Sequence, residues 1–190
     1  GTSTDAPATD IEGKDRSAIP DMGAYEAGLG GETLYVDANV SGGADNGSSW
    51  TDAFDSFEEA LTLAGSGDEI WVAEGTYKPS QGWNVDDGTP SSDARKLTFR
   101  LPDGVRIYGG FDGSGTSRSE RDWEDNVTTL NGDIGTPGTD TDNSYHVVYS
   151  SGLSSSAVLD GFTITKGYAN GSGSNDGGGG MFNSGSDPTI

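Results

Sequence analysis

Gly161-Phe162-Thr163-Ile164-Thr165-Lys166-Gly167, with its echo Gly177-Gly178-Gly179-Gly180-Met181-Phe182-Asn183, is the stretch that decides the fold. Each is a short alternating run fenced by glycines, and such runs recur along the chain with no long helix between them. Alternation with a period of two sends side chains to opposite faces of a strand. Repeated short strands with glycine corners read as a solenoid, in which each coil buries one or two apolar side chains against the next. The pattern announces a scaffold for an extended surface; it does not name a reaction.

Composition agrees with a thin core. Hydrophobic residues make up 31 % of 190 residues, and the 32 glycines are more than twice the usual share of about 7 %. Four Trp, six Phe and seven Tyr argue against a disordered chain. The length suits one ordinary domain or part of a larger repeat protein. Ten Lys and Arg oppose 31 Asp and Glu, a net charge of −21. So few cations cannot assemble a basic patch, which excludes nucleic acid and an anionic membrane surface as partners. The charge suits a salty or cation-rich exterior, or Asp clusters that hold Ca²⁺. Without cysteine there are no disulfides, thiolate metal sites or Cys nucleophiles. No apolar run approaches spanning length, so no membrane insertion is expected, and no signal peptide is seen. The chain opens on Gly1 without Met, and a processed or excised piece is expected.

Residues 1–9 read as a linker. Residues 10–31 carry a short strand motif, Asp21-Met22-Gly23-Ala24-Tyr25-Glu26, and then the hinge Ala27-Gly28-Leu29-Gly30-Gly31. A new unit, 32–144, opens with a strand at 33–37 and then the one convincing helix. Ser56 is its expected N-cap, Glu59 the capping-box partner, and Phe57, Ala60, Leu61 and Ala64 fall at helical spacing before Gly65. An amphipathic helix there is expected to cover the open end of a solenoid core. Strands are expected at 69–72, 97–101, 105–108 and 127–130, with a turn at Gly109-Gly110-Phe111 and a polar surface loop over 79–94. Regular coils fill 145–190, with strands at 145–149, 157–160, 162–165, 180–182 and 188–190. Ending in mid-repeat, the chain is expected to be a fragment or to be completed by another chain.

Leu34-Tyr35-Val36-Asp37-Ala38, Gly67-Asp68-Glu69-Ile70-Trp71-Val72-Ala73 and Gly75-Thr76-Tyr77 resemble the N-terminal region of bacterial right-handed parallel β-helix surface proteins of the pectin-lyase-like superfamily. Tyr108-Gly109-Gly110-Phe111, Arg121-Asp122-Trp123, Leu130-Asn131-Gly132-Asp133 and Leu159-Asp160-Gly161-Phe162-Thr163-Ile164 follow in the same order as in that family. Asp10–Arg16 with Asp21–Glu26 is similar to the closing segment called choice-of-anchor Q. The resemblance implies an all-β chain: a right-handed parallel β-helix with an N-terminal capping α-helix, incomplete at its C-terminus. It also implies tandem β-helix domains or docking on a neighbour, and a secreted or cell-surface location.

His146 is the only histidine, in a segment where alternation pairs it with Val148; no orienting partner is evident. Asp160, Lys166, Asp176 and Asp187 of the regular coils stand isolated, so neither a hydrolase carboxylate pair nor a lyase base with a cation can be named. Asp133, Asp140, Asp142 and Asn143 crowd one loop and offer hard oxygens to Ca²⁺, without an EF-hand or β-roll pattern. Trp83, within 79–94, can stack on a sugar ring or pin its loop. Asn39, Asn46, Asn126 and Asn170 head sequons that mark exposed loops. The expected role is an extracellular structural or adhesive module that associates with copies of itself or with adjacent β-helix domains. The alternatives are a polysaccharide lyase or glycoside hydrolase, and a noncatalytic glycan-binding module.

Overall fold

The computed structural model describes residues 31–190. The expected linker 1–9 and the strand motif of 10–30 lie outside the described residues.

Short strands dominate. The chain runs β1 (Thr33–Val36), α1 (Phe57–Leu63), β2 (Glu69–Ala73), β3 (Gly75–Tyr77), β4 (Trp83–Asn84), β5 (Thr89–Pro90), β6 (Phe99–Arg100) and β7 (Arg106–Phe111). It continues with β8 (Thr128–Asn131), β9 (Val148–Ser151), β10 (Val158–Asp160), β11 (Phe162–Thr165) and β12 (Met181–Ser184). Three sheets are wholly parallel, with orders β1-β2-β7-β10, β3-β8-β11 and β6-β9-β12, while β4 and β5 form an antiparallel ribbon.

The expectation of one all-β, right-handed parallel β-helix with a capping helix is overturned. The strands are divided among four separate sheets, one of them antiparallel, and an α-helix and four 3₁₀ turns stand between them. Long polar insertions cause this. The segment 79–94 folds into its own ribbon, and the stretches around residues 118–120, 140–142 and 173–176 close into single 3₁₀ turns. What repeats is only the order in which the chain visits the parallel sheets.

In-register apolar ladders explain why these strands pair. Leu34, Ile70, Ile107 and Leu159 align across the first sheet. Tyr77, Leu130 and Ile164 align across the second, and Phe99, Val148 and Met181 across the third. These side chains meet in one core with the buried Phe57, Ala60 and Leu61 of α1. On the outer face Tyr35, Trp71 and Tyr108 form a second ladder, with Trp71 stacked on Phe111 at 4.7 Å.

Four local expectations are corrected. Ser56 is the N-cap of α1, but its side chain makes no capping bond, and the helix ends at the C-cap Ala64 rather than at Gly65. The stretch 97–101 yields only the two-residue β6. The segment Gly109-Gly110-Phe111 is not a turn but the end of β7. There Trp71 pairs with Tyr108 and Ala73 with Phe111, so Gly109 and Gly110 form a bulge opposite one residue. Gly110 has φ of 90°, and a Cβ on Gly109 would lie 2.5 Å from the Gly161 carbonyl oxygen. Both glycines are there for backbone shape and close approach, which sequence reads as a turn.

Candidate functional site

A cleft with a volume of about 370 Å³ lies between α1, the 79–94 ribbon and the third sheet. Its walls are half apolar, from Leu61, Leu101 and Leu153, and half polar, from Gln81, Thr98 and Asp103. Trp83 and Arg100 close one side. The volume falls in the range typical of small-ligand sites.

The ribbon puts Trp83 there. Trp83 pairs with Pro90 and Asn84 with Thr89, while the Gly88 amide closes the turn on the Asn84 carbonyl at 2.7 Å. Val85 is buried, and its carbonyl accepts the Tyr149 hydroxyl, which pins the ribbon to the third sheet. Lys96 Nζ donates to Asn84 Oδ1 at 3.1 Å. The expected surface loop is therefore an anchored platform. On it Trp83 is half-buried, and the Arg100 guanidinium lies 4.6 Å from its ring centre.

Arg100 differs from the other described arginines. Arg95 donates to the carbonyls of Asn143 and Tyr168, Arg106 and Arg118 flank Glu69, and Arg121 pairs with Asp160 at 3.0 Å. Arg100 makes no hydrogen bond or ion pair among the described residues; its contact is the Trp83 face. The cleft carboxylates are engaged elsewhere. Glu58 accepts from the Ser80 hydroxyl and from the amides of Ser80 and Gln81, both at 2.8 Å. Asp103 accepts from the Ser154 amide and hydroxyl, bonds that hold its carboxyl below the usual range. A general acid for glycoside cleavage needs the opposite shift.

His146 is buried at 3 % exposure and leans on Phe182 with ring centres 4.8 Å apart. Its Nδ1 donates to the Gly178 carbonyl at 3.1 Å, and Nε2 is enclosed without a partner. Burial lowers its pKa, partly offset by that hydrogen bond. Among the described residues no serine hydroxyl or carboxylate is hydrogen-bonded to it, and the buried ring packs against Phe182.

The loop holding Asp133, Asp140, Asp142 and Asn143 is closed at its neck by the Ser144 amide donating to the Gly132 carbonyl at 2.9 Å. Asp133 Oδ2 accepts the Gly138 amide at 3.1 Å and Asp142 Oδ2 the Thr136 amide at 2.8 Å. Asp140 is exposed and stands out of this arrangement. Asp133 and Asn143 thus flank the neck, Asp133 and Asp142 each accept an amide inside the loop, and the Asp140 side chain makes no such bond. Among the described residues no group of three or more Asp, Glu or His is assembled at metal-holding reach. Asp160 pairs with Arg121, and Lys166 occupies a left-handed conformation at φ 64°.

Sequence reading singled out Trp83 but missed Arg100. The available signal was a cation alternating with Phe99 on a short strand beside an aromatic-bearing insertion. Comparison of the chain with protein-family models, with curated proteins and with solved structures gave no match. No helix among the described residues is long and apolar enough to cross a membrane.

Proposed function

We propose that this chain is a noncatalytic adhesive module of an extracellular surface, which grips a saccharide in the cleft beside Trp83. The observation that supports it most is the pairing of Trp83 with an Arg100 that has no other partner among the described residues, in the lining of this cleft. Indole and leucine walls suit the C–H face of a sugar ring, and Gln81 and the second oxygen of Asp103, Oδ2, which takes neither Ser154 bond, offer hydrogen bonds to hydroxyls. A free guanidinium suits a carboxylate or sulfate on such a ring. Both cleft carboxylates already serve internal donors, which favours holding a sugar over cleaving it.

The test is calorimetric titration with oligosaccharides, neutral and acidic, against the chain and Trp83→Ala. Binding that the substitution abolishes supports the reading; no binding by any of them, or binding indifferent to Trp83, contradicts it.

A second reading, self-association, draws on the outer strands of two sheets. Among the described residues β11 and β12 each have a strand partner on one side only. Such edges accept a further parallel strand. Sedimentation velocity distinguishes this: concentration-dependent assembly supports it, and a monomer at all concentrations contradicts it.

A further inference from the structure

The loop between Gly132 and Ser144 contains oxygen atoms that the fold leaves without a partner. Asp133 Oδ1, Asp142 Oδ1 and Asn143 Oδ1 are all enclosed by protein and accept no hydrogen bond. Asn143 is 2 % exposed, so its amide oxygen has no bulk water to fall back on. Leaving buried oxygens unsatisfied is costly, and a carboxylate oxygen more so than a neutral one. The other oxygen of each carboxylate shows which way these side chains face. Asp133 reaches across the loop to the Gly138 amide and Asp142 to the Thr136 amide, so both carboxylates turn into the loop rather than out to solvent. A Cβ on Gly135 would stand 2.4 Å from Asp142 Cγ, which shows how closely the loop wraps that group.

The neck draws the two ends of the loop together. The Ser144 amide bonds the Gly132 carbonyl, which holds the backbone of Asp133 close to that of Asn143, each one residue inside the closure. On the far side of Asn143, Arg95 Nε holds the main-chain carbonyl at 2.8 Å and fixes this residue in place. No Lys or Arg forms an ion pair with Asp133 or Asp142 among the described residues.

We propose that this loop binds one Ca²⁺ ion, with Asp133, Asp142 and Asn143 as its side-chain ligands. The donor set is all oxygen and carries two negative charges, which is the chemistry of a hard divalent cation. Three side-chain oxygens are fewer than the six to eight that Ca²⁺ takes, so loop carbonyls and water complete the shell. Asp140 is not a ligand. With few charged ligands and Arg95 close by, the affinity belongs to the range of extracellular modules, on the order of 10⁻⁴–10⁻³ M.

The experiment uses the whole chain and Ca²⁺ alone. Thermal unfolding is followed in EDTA and across millimolar Ca²⁺, for the chain, Asp142→Asn and Asp140→Asn. Binding to the folded state raises the melting midpoint in a saturable way. The expected result is that rise in the chain and in Asp140→Asn, and its loss in Asp142→Asn. Equal midpoints in EDTA and Ca²⁺ overturn the proposal. A rise that survives in Asp142→Asn also overturns it, because general screening of the −21 charge then accounts for the effect. If Asp142→Asn fails to fold, calorimetry on the unaltered chain decides: one saturable site supports the loop, and only weak unsaturable uptake overturns it.

Discussion

The Arg100 guanidinium rests on the Trp83 indole, 4.6 Å from its centre, and has no other partner among the described residues. A stack of this kind at an exposed position contributes about 0.5–1 kcal/mol. Arg100→Gln is therefore expected to shift stability by no more than about 1 kcal/mol in urea unfolding. A loss several times larger would mean that Arg100 is a structural group and not one held ready for a ligand.

The bulge in β7 predicts sharp intolerance at two glycines. At Gly109 a methyl group meets the Gly161 carbonyl oxygen at 2.5 Å, and at Gly110 φ is 90°. Crowding and backbone strain each cost about 1–3 kcal/mol. Gly109→Ala and Gly110→Ala should each lower the urea midpoint accordingly, whereas Gly177→Ala, where a Cβ meets nothing within 4 Å, should not. Equal midpoints for all three would show that the bulge is not built as described.

Core and surface leucines should separate cleanly. Leu130 is fully buried at the centre of the second sheet, and Leu63 on α1 is 65 % exposed. Leu130→Ala is expected to cost about 2–5 kcal/mol. Leu63→Ala should stay within about 0.5 kcal/mol. Chemical denaturation checks both; similar losses would contradict the placement of the core.

Burial keeps the His146 pKa below its unfolded value, so the unfolded chain binds the proton more readily. The sign follows: this stabilising contribution is complete above the unfolded value of about 6.5 and is lost as pH falls below it toward the folded pKa. The stability difference between the chain and His146→Gln should therefore narrow from pH 7.5 to 5.5. A difference that stays constant, or widens, would show that the ring is not buried in its neutral form.

Local signals were legible in the sequence wherever side chains alternate. β1, β2 and β11 fall where Leu34, Ile70, Phe162 and Ile164 place them, and the buried face of α1 follows from Phe57, Ala60 and Leu61. The single-solenoid reading failed at the insertions. Nothing local in residues 79–94 shows that Val85 will be buried and Tyr149 will hold its carbonyl, because that contact joins residues far apart in the chain. Gly109-Gly110 misled because a glycine needed for a bulge and one needed for a turn look alike without the strand beside it. Trp83 was visible as an aromatic in a polar stretch. Arg100 was not, since an arginine's lack of partners is a property of the folded surroundings. Of the acidic loop, sequence proximity gathered four residues, and only folding separated the exposed Asp140 from the other three.

The most direct test of the saccharide cleft is the ¹H–¹⁵N indole spectrum, with the Trp83 signal assigned through Trp83→Phe. On titration with an oligosaccharide mixture of neutral and acidic sugars, the account predicts that the Trp83 signal moves while those of Trp50, Trp71 and Trp123 stay in place. A motionless Trp83 signal, or a shift centred on the exposed Trp123, would contradict it.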